Sequence, residues 1–315
     1  MKGLIGHNGF VGSNIQKHID FDLFYNSRNI QQIQGQEFKL LICAGAPGSM
    51  IKANRNRDSD RENIDLLIDS ISRSKPDRLI LISTIGIFKD FSACNDENSQ
   101  AFEMKLAYGV NRRYLEQTIK SIFPKTQIIR LPALFGDGLK KNFIFDLLNQ
   151  APSFFSDKKF KELKANIDQK DKSVLRCYVY NANLGLYFLD RERFQYSATK
   201  LKVLKILNDI RYSSVFLHSH QSTYQFYNLD NLGVDIWKVI ENDINIMHLA
   251  NEPISTNEIY KKIFLEDMPS SQATIHNENM ITNYSHIWKS KKPYIQNKHE
   301  ILHQLHNFYL KKSNL

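Results

Sequence analysis

Cysteine, proline and glycine are all scarce in this chain, whose 315 residues hold 3 Cys, 8 Pro and 13 Gly. The cysteines, Cys43, Cys94 and Cys177, are odd in number and show no CxxC spacing. That excludes a disulfide framework and a zinc ribbon and leaves reduced thiols. No Pro-rich or Gly/Ser-rich tract and no internal repeat is present, which excludes a low-complexity or solenoid architecture. No apolar run approaches the roughly 18 residues that cross a bilayer. The opening Met1-Lys2-Gly3-Leu4-Ile5-Gly6 breaks into glycines where a secretion signal needs an unbroken apolar core. The chain is therefore expected to be cytoplasmic, with no membrane partner.

Acidic residues are in the minority, 33 Asp+Glu against 42 Lys+Arg, for a net charge of +9. The surplus is spread over 1–200 and 281–315 and reversed over 201–280. The only dense runs are Lys158-Lys159, Lys289-Ser290-Lys291-Lys292 and Lys311-Lys312, with no arginine-rich repeat, RNP or zinc-finger pattern beside them. This patterning speaks against nucleic acid as a partner and suits steering of an anionic small molecule. With 42% hydrophobic and 24% charged residues, the chain is globular, long enough for one large domain and a smaller lobe.

Short apolar runs alternate with amphipathic stretches over the first half. Gly3–Ile5, Leu23–Tyr25, Leu40–Cys43, Leu79–Ile82 and Ile128–Leu131 read as strands. Asn63–Arg73 and Tyr108–Ile122 read as helices, the first with Ile64, Leu67, Ile68 and Ile71 on one face. Alternating strand and helix predict an α/β fold with a parallel sheet. Beyond about residue 140 the pattern turns to longer helices, Phe143–Asn149, Tyr196–Ile210, Ile236–Asn242, Glu258–Phe264 and His299–Leu310. The expected division is 1–140 as a nucleotide-binding domain and 141–315 as a smaller, mainly helical C-terminal substrate lobe, with late elements free to rejoin the sheet.

Three of the few glycines fall within one turn, Gly6-His7-Asn8-Gly9-Phe10-Val11-Gly12, directly after the first strand. The first permits the tight turn, the second lets backbone approach a pyrophosphate, and the third lets helix and sheet pack closely; the helix end supplies amides and a positive dipole. This is a Rossmann-like, doubly wound arrangement with a dinucleotide as the favoured ligand, Phe10 and Val11 lying in the same cradle. After the second strand, where an NAD site places an acid on the ribose, the chain reads Tyr25-Asn26-Ser27-Arg28-Asn29. Ser27 and Arg28 suit a ribose 2′-phosphate, so NADP is favoured and NAD stays open.

Four further landmarks follow in order: Leu41-Ile42-Cys43-Ala44-Gly45-Ala46 with Asn63 after it, Ser83-Thr84-Ile85-Gly86-Ile87-Phe88, Tyr108-Gly109-Val110-Asn111-Arg112, and Arg130-Leu131-Pro132-Ala133-Leu134-Phe135-Gly136. Together with the glycine turn they resemble the extended short-chain dehydrogenase/reductases, a family of NAD(P)-dependent nucleotide-sugar epimerases, dehydratases and reductases. The resemblance covers residues 1 to about 140. It implies that Ala44, Gly45 and Ala46 cover the cofactor, that Asn63 and Pro132 stand beside it, that Thr84, Tyr108 and Arg112 are catalytic, and that the protein forms a homodimer. Phe88 stands where the family has Tyr, and Arg112 where it has Lys.

The chemistry asks for these groups in its own right. Hydride transfer at a sugar carbon needs a group that takes or returns the hydroxyl proton, and a tyrosine serves if its pKa falls from about 10 toward neutrality. A cation one helical turn away stabilises the tyrosinate, and a neighbouring hydroxyl, Thr84, steadies the developing oxygen charge. Arg112 keeps the charge but not the compact shape of lysine, so two readings stand: an active enzyme with a site adjusted to Arg112, or a cofactor-binding sensor or scaffold without turnover. Tyr196-Ser197-Ala198-Thr199-Lys200 also spells Y-x-x-x-K but lies far beyond Thr84 with no matching strand after it, and is read as chance. Ile85-Gly86 replaces the Asp-Glu pair of the dehydratases, which leaves epimerisation and ketone reduction open. Lys140 and Asn142 are candidates for a substrate diphosphate, and Tyr227 for the wall of the substrate cleft. His218-Ser219-His220 has no clear third ligand, so no metal is expected.

Overall fold

The computed structural model describes residues 1–167, 172–195 and 200–313. Six parallel strands build the central sheet: β1 (Lys2–Ile5), β2 (Leu23–Tyr25), β3 (Leu40–Cys43), β4 (Leu79–Thr84), β5 (Gln127–Leu131) and β6 (Ile246–His248), in the order β6-β5-β4-β3-β1-β2. Side-chain alternation sends Leu4, Ile42, Ile80, Ile82 and Ile129 to one face, and Ile5, Leu41, Cys43, Leu79, Leu81 and Ile128 to the other. Both faces are covered, as the buried, Ile/Leu-rich strands require. Helices α1 (Phe10–Ile15) and Leu232–Glu241 lie on the first face, where Ile15, Leu232, Ile236 and Val239 join the core. On the second face, α3 (Arg57–Ser72) contributes Ile64, Leu67, Ile68 and Ile71 and α4 (Ala107–Ile122) contributes Leu115 and Ile119, while the short α2 (Met50–Arg55) precedes α3. The fold is the expected Rossmann-like, doubly wound α/β sheet. Strand order reverses at β1, the crevice at whose C-terminal end is the general binding position in such sheets.

The protein forms two compact units. The first comprises Met1–Leu139, Tyr224–Ile254 and Asn277–Leu305, the second Lys140–Thr223, Ser255–His276 and His306–Leu315. The late elements left free to rejoin the sheet do so: β6 pairs with β5 and the helix before it covers the sheet, so the second unit is not contiguous over 141–315. The second unit is less purely helical than expected. A three-stranded antiparallel sheet, with Leu186–Leu189 between Tyr178–Asn181 and Phe154–Ser156, accompanies helices Phe143–Leu148, Asp157–Asn166, Arg191–Gln195, Lys200–Asp209 and Thr256–Phe264. Its core gathers Phe155, Leu163, Val174, Tyr178, Phe194, Val203 and Leu207. Residues 196–199, and with them the Tyr196 half of the second Y-x-x-x-K match, lie outside the described residues. Among the described residues no helix is long and apolar enough to cross a membrane.

Candidate active site

The glycine turn connects β1 to α1 at the point where strand order reverses. Gly6 has φ +84° and its amide donates to Tyr25 O at 2.7 Å, while the Gly9 amide donates to Gly6 O at 2.9 Å. A Cβ on Gly6 would stand 2.4 Å from Ala44 O, and one on Gly12 would stand 2.1 Å from Gly6 O. Backbone therefore fills the space that side chains would need. What remains exposed toward a ligand is peptide alone, with first-turn amides of α1 that have no intrahelical acceptor. These residues fit the pyrophosphate of a dinucleotide. Phe10 and Val11 are half-buried and pack against the core behind the turn.

Two polar residues not singled out from the sequence secure this cradle. Asn14, fully buried, donates to Phe10 O at 2.7 Å and to Asp137 O at 2.9 Å, tying α1 to the loop after β5, a tie that the Lys17–Asp137 ion pair at 2.7 Å reinforces. Asn26 lies within 3.0 Å of His7 Nε2 and accepts from the Arg28 amide at 2.9 Å, so the loop after β2 is fastened to the glycine turn. Ser27 and Arg28 are exposed in that loop. Ala44, Gly45 and Ala46 are half-buried at the end of β3, the Ala44 amide donating to Ile5 O at 2.9 Å.

Two strands away, the end of β4 carries the second group of residues. Ser83 donates to the buried carboxylate of Glu116 at 2.6 Å and is committed to structure. Thr84 starts a 3-10 turn over Ile85–Ile87, its hydroxyl accepting from the Gly86 amide at 3.0 Å and keeping its own proton to donate. Tyr108 opens α4, its amide donating to Asn54 Oδ1 at 2.9 Å. Its ring lies on Gly86: a Cβ there would come 2.8 Å from Tyr108 Cε1 and 3.3 Å from Thr84 Oγ1. The phenol oxygen has no hydrogen-bond partner among the described residues. Tyr108 and Thr84 thus share one corner, and Gly86 is glycine because Tyr108 occupies the place of a side chain. Gly86→Ala is expected to push the tyrosine aside and lower kcat at least tenfold with little change in Tm, read by steady-state kinetics and thermal melts.

Arg112 lies one turn along α4 with its guanidinium 4.7 Å from the Tyr108 ring centroid. Its terminal nitrogens grip the Asp60 carboxylate at 2.9 and 3.0 Å, and Nη2 also donates to Pro47 O. The terminal nitrogens are thereby engaged with Asp60 and the Pro47 carbonyl. Asn63 is exposed on α3 and donates to Ser59 O at 2.6 Å. Pro132 is buried after β5. Tyr227 is buried completely, in a strand over Phe226–Asn228 that pairs with Ala133–Phe135, and its hydroxyl donates to Asp235 at 2.7 Å. It is a core residue and not part of a substrate wall, because Asp235 offers an acceptor inside. Tyr227→Phe is expected to cost about 1–3 kcal/mol in urea unfolding and to leave KM within twofold.

Lys140 and Asn142 belong to the second unit, where Lys140 is exposed and Asn142 caps Phe143–Leu148 by accepting from the Phe145 amide at 3.2 Å. His218 there pairs with Asp146 at 2.8 Å, and no group of three metal-ligating side chains occurs among the described residues.

Beneath the corner runs a buried polar chain. Glu116 binds Arg130 at 2.7 and 2.9 Å, and Arg130 reaches His248 Nε2 at 3.1 Å. Phe88 fills the slot beside them, 5.3 Å from the Arg130 guanidinium and stacked on Phe102. Burial, aided by the Arg130 charge, pushes the His248 imidazole down to about 3. An unfolded histidine binds its proton near 6.5. The unfolded state therefore holds more protons from about pH 6.5 down to about 3, and stability falls across that window on acidification, by up to about 1.4 kcal/mol per pH unit. Melts between pH 7 and 5 are expected to show this slope in the native protein and a shallower one in His248→Gln.

No protein-family model and no curated protein matches the sequence. Solved structures do match. The dTDP-4-dehydrorhamnose reductase of Bacillus anthracis, crystallised with NADP, is 16% identical over 98% of this chain and 97% of its own, with a TM-score of 0.59. The dTDP-4-dehydrorhamnose reductase of Yersinia enterocolitica is 13% identical over 99% of both chains, with a TM-score of 0.58. The UDP-glucose 4-epimerase of Thermotoga maritima, solved with UDP-glucose, is 10% identical over 100% of both, with a TM-score of 0.60. At these identities the likeness is one of fold. The chain has the fold of these dTDP-4-dehydrorhamnose reductases and of the UDP-glucose 4-epimerase.

Proposed function

We propose that the protein is an NADP(H)-dependent reductase or epimerase of a nucleotide-activated sugar, with NAD(H) as the second choice of cofactor. The observation that carries this reading is the corner formed by Thr84, Gly86 and Tyr108 at the end of β4, two strand spacings or roughly 10 Å from the glycine turn at the end of β1. The cofactor supplies or accepts the hydride when bound. The Gly6–Gly12 backbone holds its pyrophosphate, and Ser27 and Arg28 stand where the ribose 2′-phosphate falls in such folds. Tyr108 gives or takes the hydroxyl proton at its phenol oxygen, and Thr84 donates to the oxygen on which charge develops. Water elimination is disfavoured, because Ile85 and Gly86 supply no acid or base and Gly86 has no room for one.

The fold neighbours bind dTDP- and UDP-sugars, which makes those two nucleotides the first to assay. NADPH oxidation with dTDP-4-dehydrorhamnose, and epimer formation from UDP-glucose with catalytic NAD, test the two reactions; turnover in neither, with sugar nucleotides of several bases, removes the enzymatic reading. A second reading, a cofactor-binding protein without turnover, is favoured by the commitment of Arg112 to Asp60. A homodimer belongs to the proposal and is tested by light scattering. Arg28→Ala is expected to weaken NADPH at least tenfold and NADH less than twofold in fluorescence titrations; equal losses would contradict the assignment to a 2′-phosphate.

A further inference from the structure

Arg112 stands where the family the sequence resembles has Lys, and its larger, forked head needs a place. Helix α3 provides that place with Asp60, a carboxylate only 6% exposed in a helix whose other acids face solvent. Asp60 receives both terminal nitrogens of Arg112, itself 3% exposed, and a third bond from Asn111 Nδ2 at 2.9 Å. Arg112 passes the constraint on: Nη2 donates to Pro47 O, in the turn that leaves β3 after Ala44–Ala46, and the guanidinium lies against the Tyr108 ring. Arg112 Nε is buried with no acceptor. The fork thus faces the carboxylate and the Pro47 carbonyl.

We propose that Asp60 is a positioning residue that makes Arg112 a clamp, fixing the turn over Ala44–Pro47 against Tyr108 so that the cofactor-covering segment is set before the cofactor arrives. The inference rests on the reading above, since it assigns Arg112 to placement of the binding turn. A lysine at 112 would present one compact ammonium and no planar fork to take both oxygens of Asp60 side by side. A bidentate buried pair is also costly to break from one side, since the remaining charge is stranded.

Three variants test this: Asp60→Glu, which keeps the charge and shifts it by a methylene, Asp60→Asn, and the neutral pair Asp60→Asn/Arg112→Gln. Each is assayed for its melting temperature without cofactor, for its NADPH Kd by fluorescence, and for kcat at saturating NADPH. The expected result is a Kd at least about tenfold weaker in every folded variant, with kcat at saturation reduced less than threefold in Asp60→Glu. The neutral pair should be no worse than Asp60→Asn, because the two residues act as one unit. Should Asp60→Asn fail to fold, Asp60→Glu and the neutral pair decide. Native-like Kd values, within twofold, in any folded variant of the three would overturn the clamp and leave the ion pair as core structure. Failure of the unaltered protein to bind NADPH or NADH would instead remove the proposed function itself.

Discussion

Replacing Tyr108 by phenylalanine is expected to lower kcat by about 10²–10⁴-fold, the usual worth of a positioned acid/base, while NADPH affinity stays within threefold and Tm within a degree or two. The reasons are local. The phenol oxygen meets no protein partner among the described residues, so its removal leaves no buried group unpaired. The ring, which the variant retains, makes the contacts with Gly86 and with the Arg112 guanidinium. Loss of turnover with binding and stability preserved identifies a group that acts only in the chemical step. Turnover within threefold of the native protein would show that another group moves the proton.

The second large effect is expected from Gly12→Ala. One added methyl carbon would lie 2.1 Å from Gly6 O, 2.7 Å from Gly6 C and 3.0 Å from His7 Cα. All three are backbone atoms, and none can swing aside as a side chain would. Either α1 lifts from the sheet or the turn opens, and both displace the amides proposed to hold the phosphates. Overpacking of this kind costs about 1–3 kcal/mol, at times more. NADPH binding is expected to weaken at least about a hundredfold, since misplacement on the scale of 1 Å has consequences of that size. Titration beside a thermal melt checks it: a melt lowered by a few degrees with binding intact would show that the dinucleotide is not held at this turn.

The inner strands were legible because a strand covered on both faces must be apolar at nearly every position, as Leu40–Cys43 and Leu79–Ile82 are. β6 was not, since Ile246-Met247-His248 ends on a histidine whose fitness for the interior depends on Arg130, Glu97 and the Ile281 carbonyl, all distant in sequence. The glycine turn was legible because glycine at fixed offsets has a steric meaning in itself. Thr84 and Tyr108 were singled out through the family resemblance, and the structure brings the two together through the contact at Gly86.

Polar residues were harder to place. Nothing near Asp60 in the sequence separates it from Asp58 or Asp65, which remain on the outer side of α3. Its role follows from α4 crossing nearby with Asn111 and Arg112, a tertiary fact. Tyr227 stood in a polar-aromatic stretch that read as cleft wall, and its burial turns on Asp235, eight residues on and fully engaged by the Tyr227 hydroxyl, Trp288 and Lys238. Asn63 matched a motif position, but at 63 the helix presents it to solvent.

The account stands on a dinucleotide held at the Gly6–Gly12 turn. Its most direct test is a fluorescence titration of the purified protein with NADPH, repeated with Gly12→Ala. The account requires saturable binding at micromolar concentration by the native protein, lost in the variant. No binding of NADPH or NADH at millimolar concentration, or binding that Gly12→Ala leaves unchanged, would contradict it.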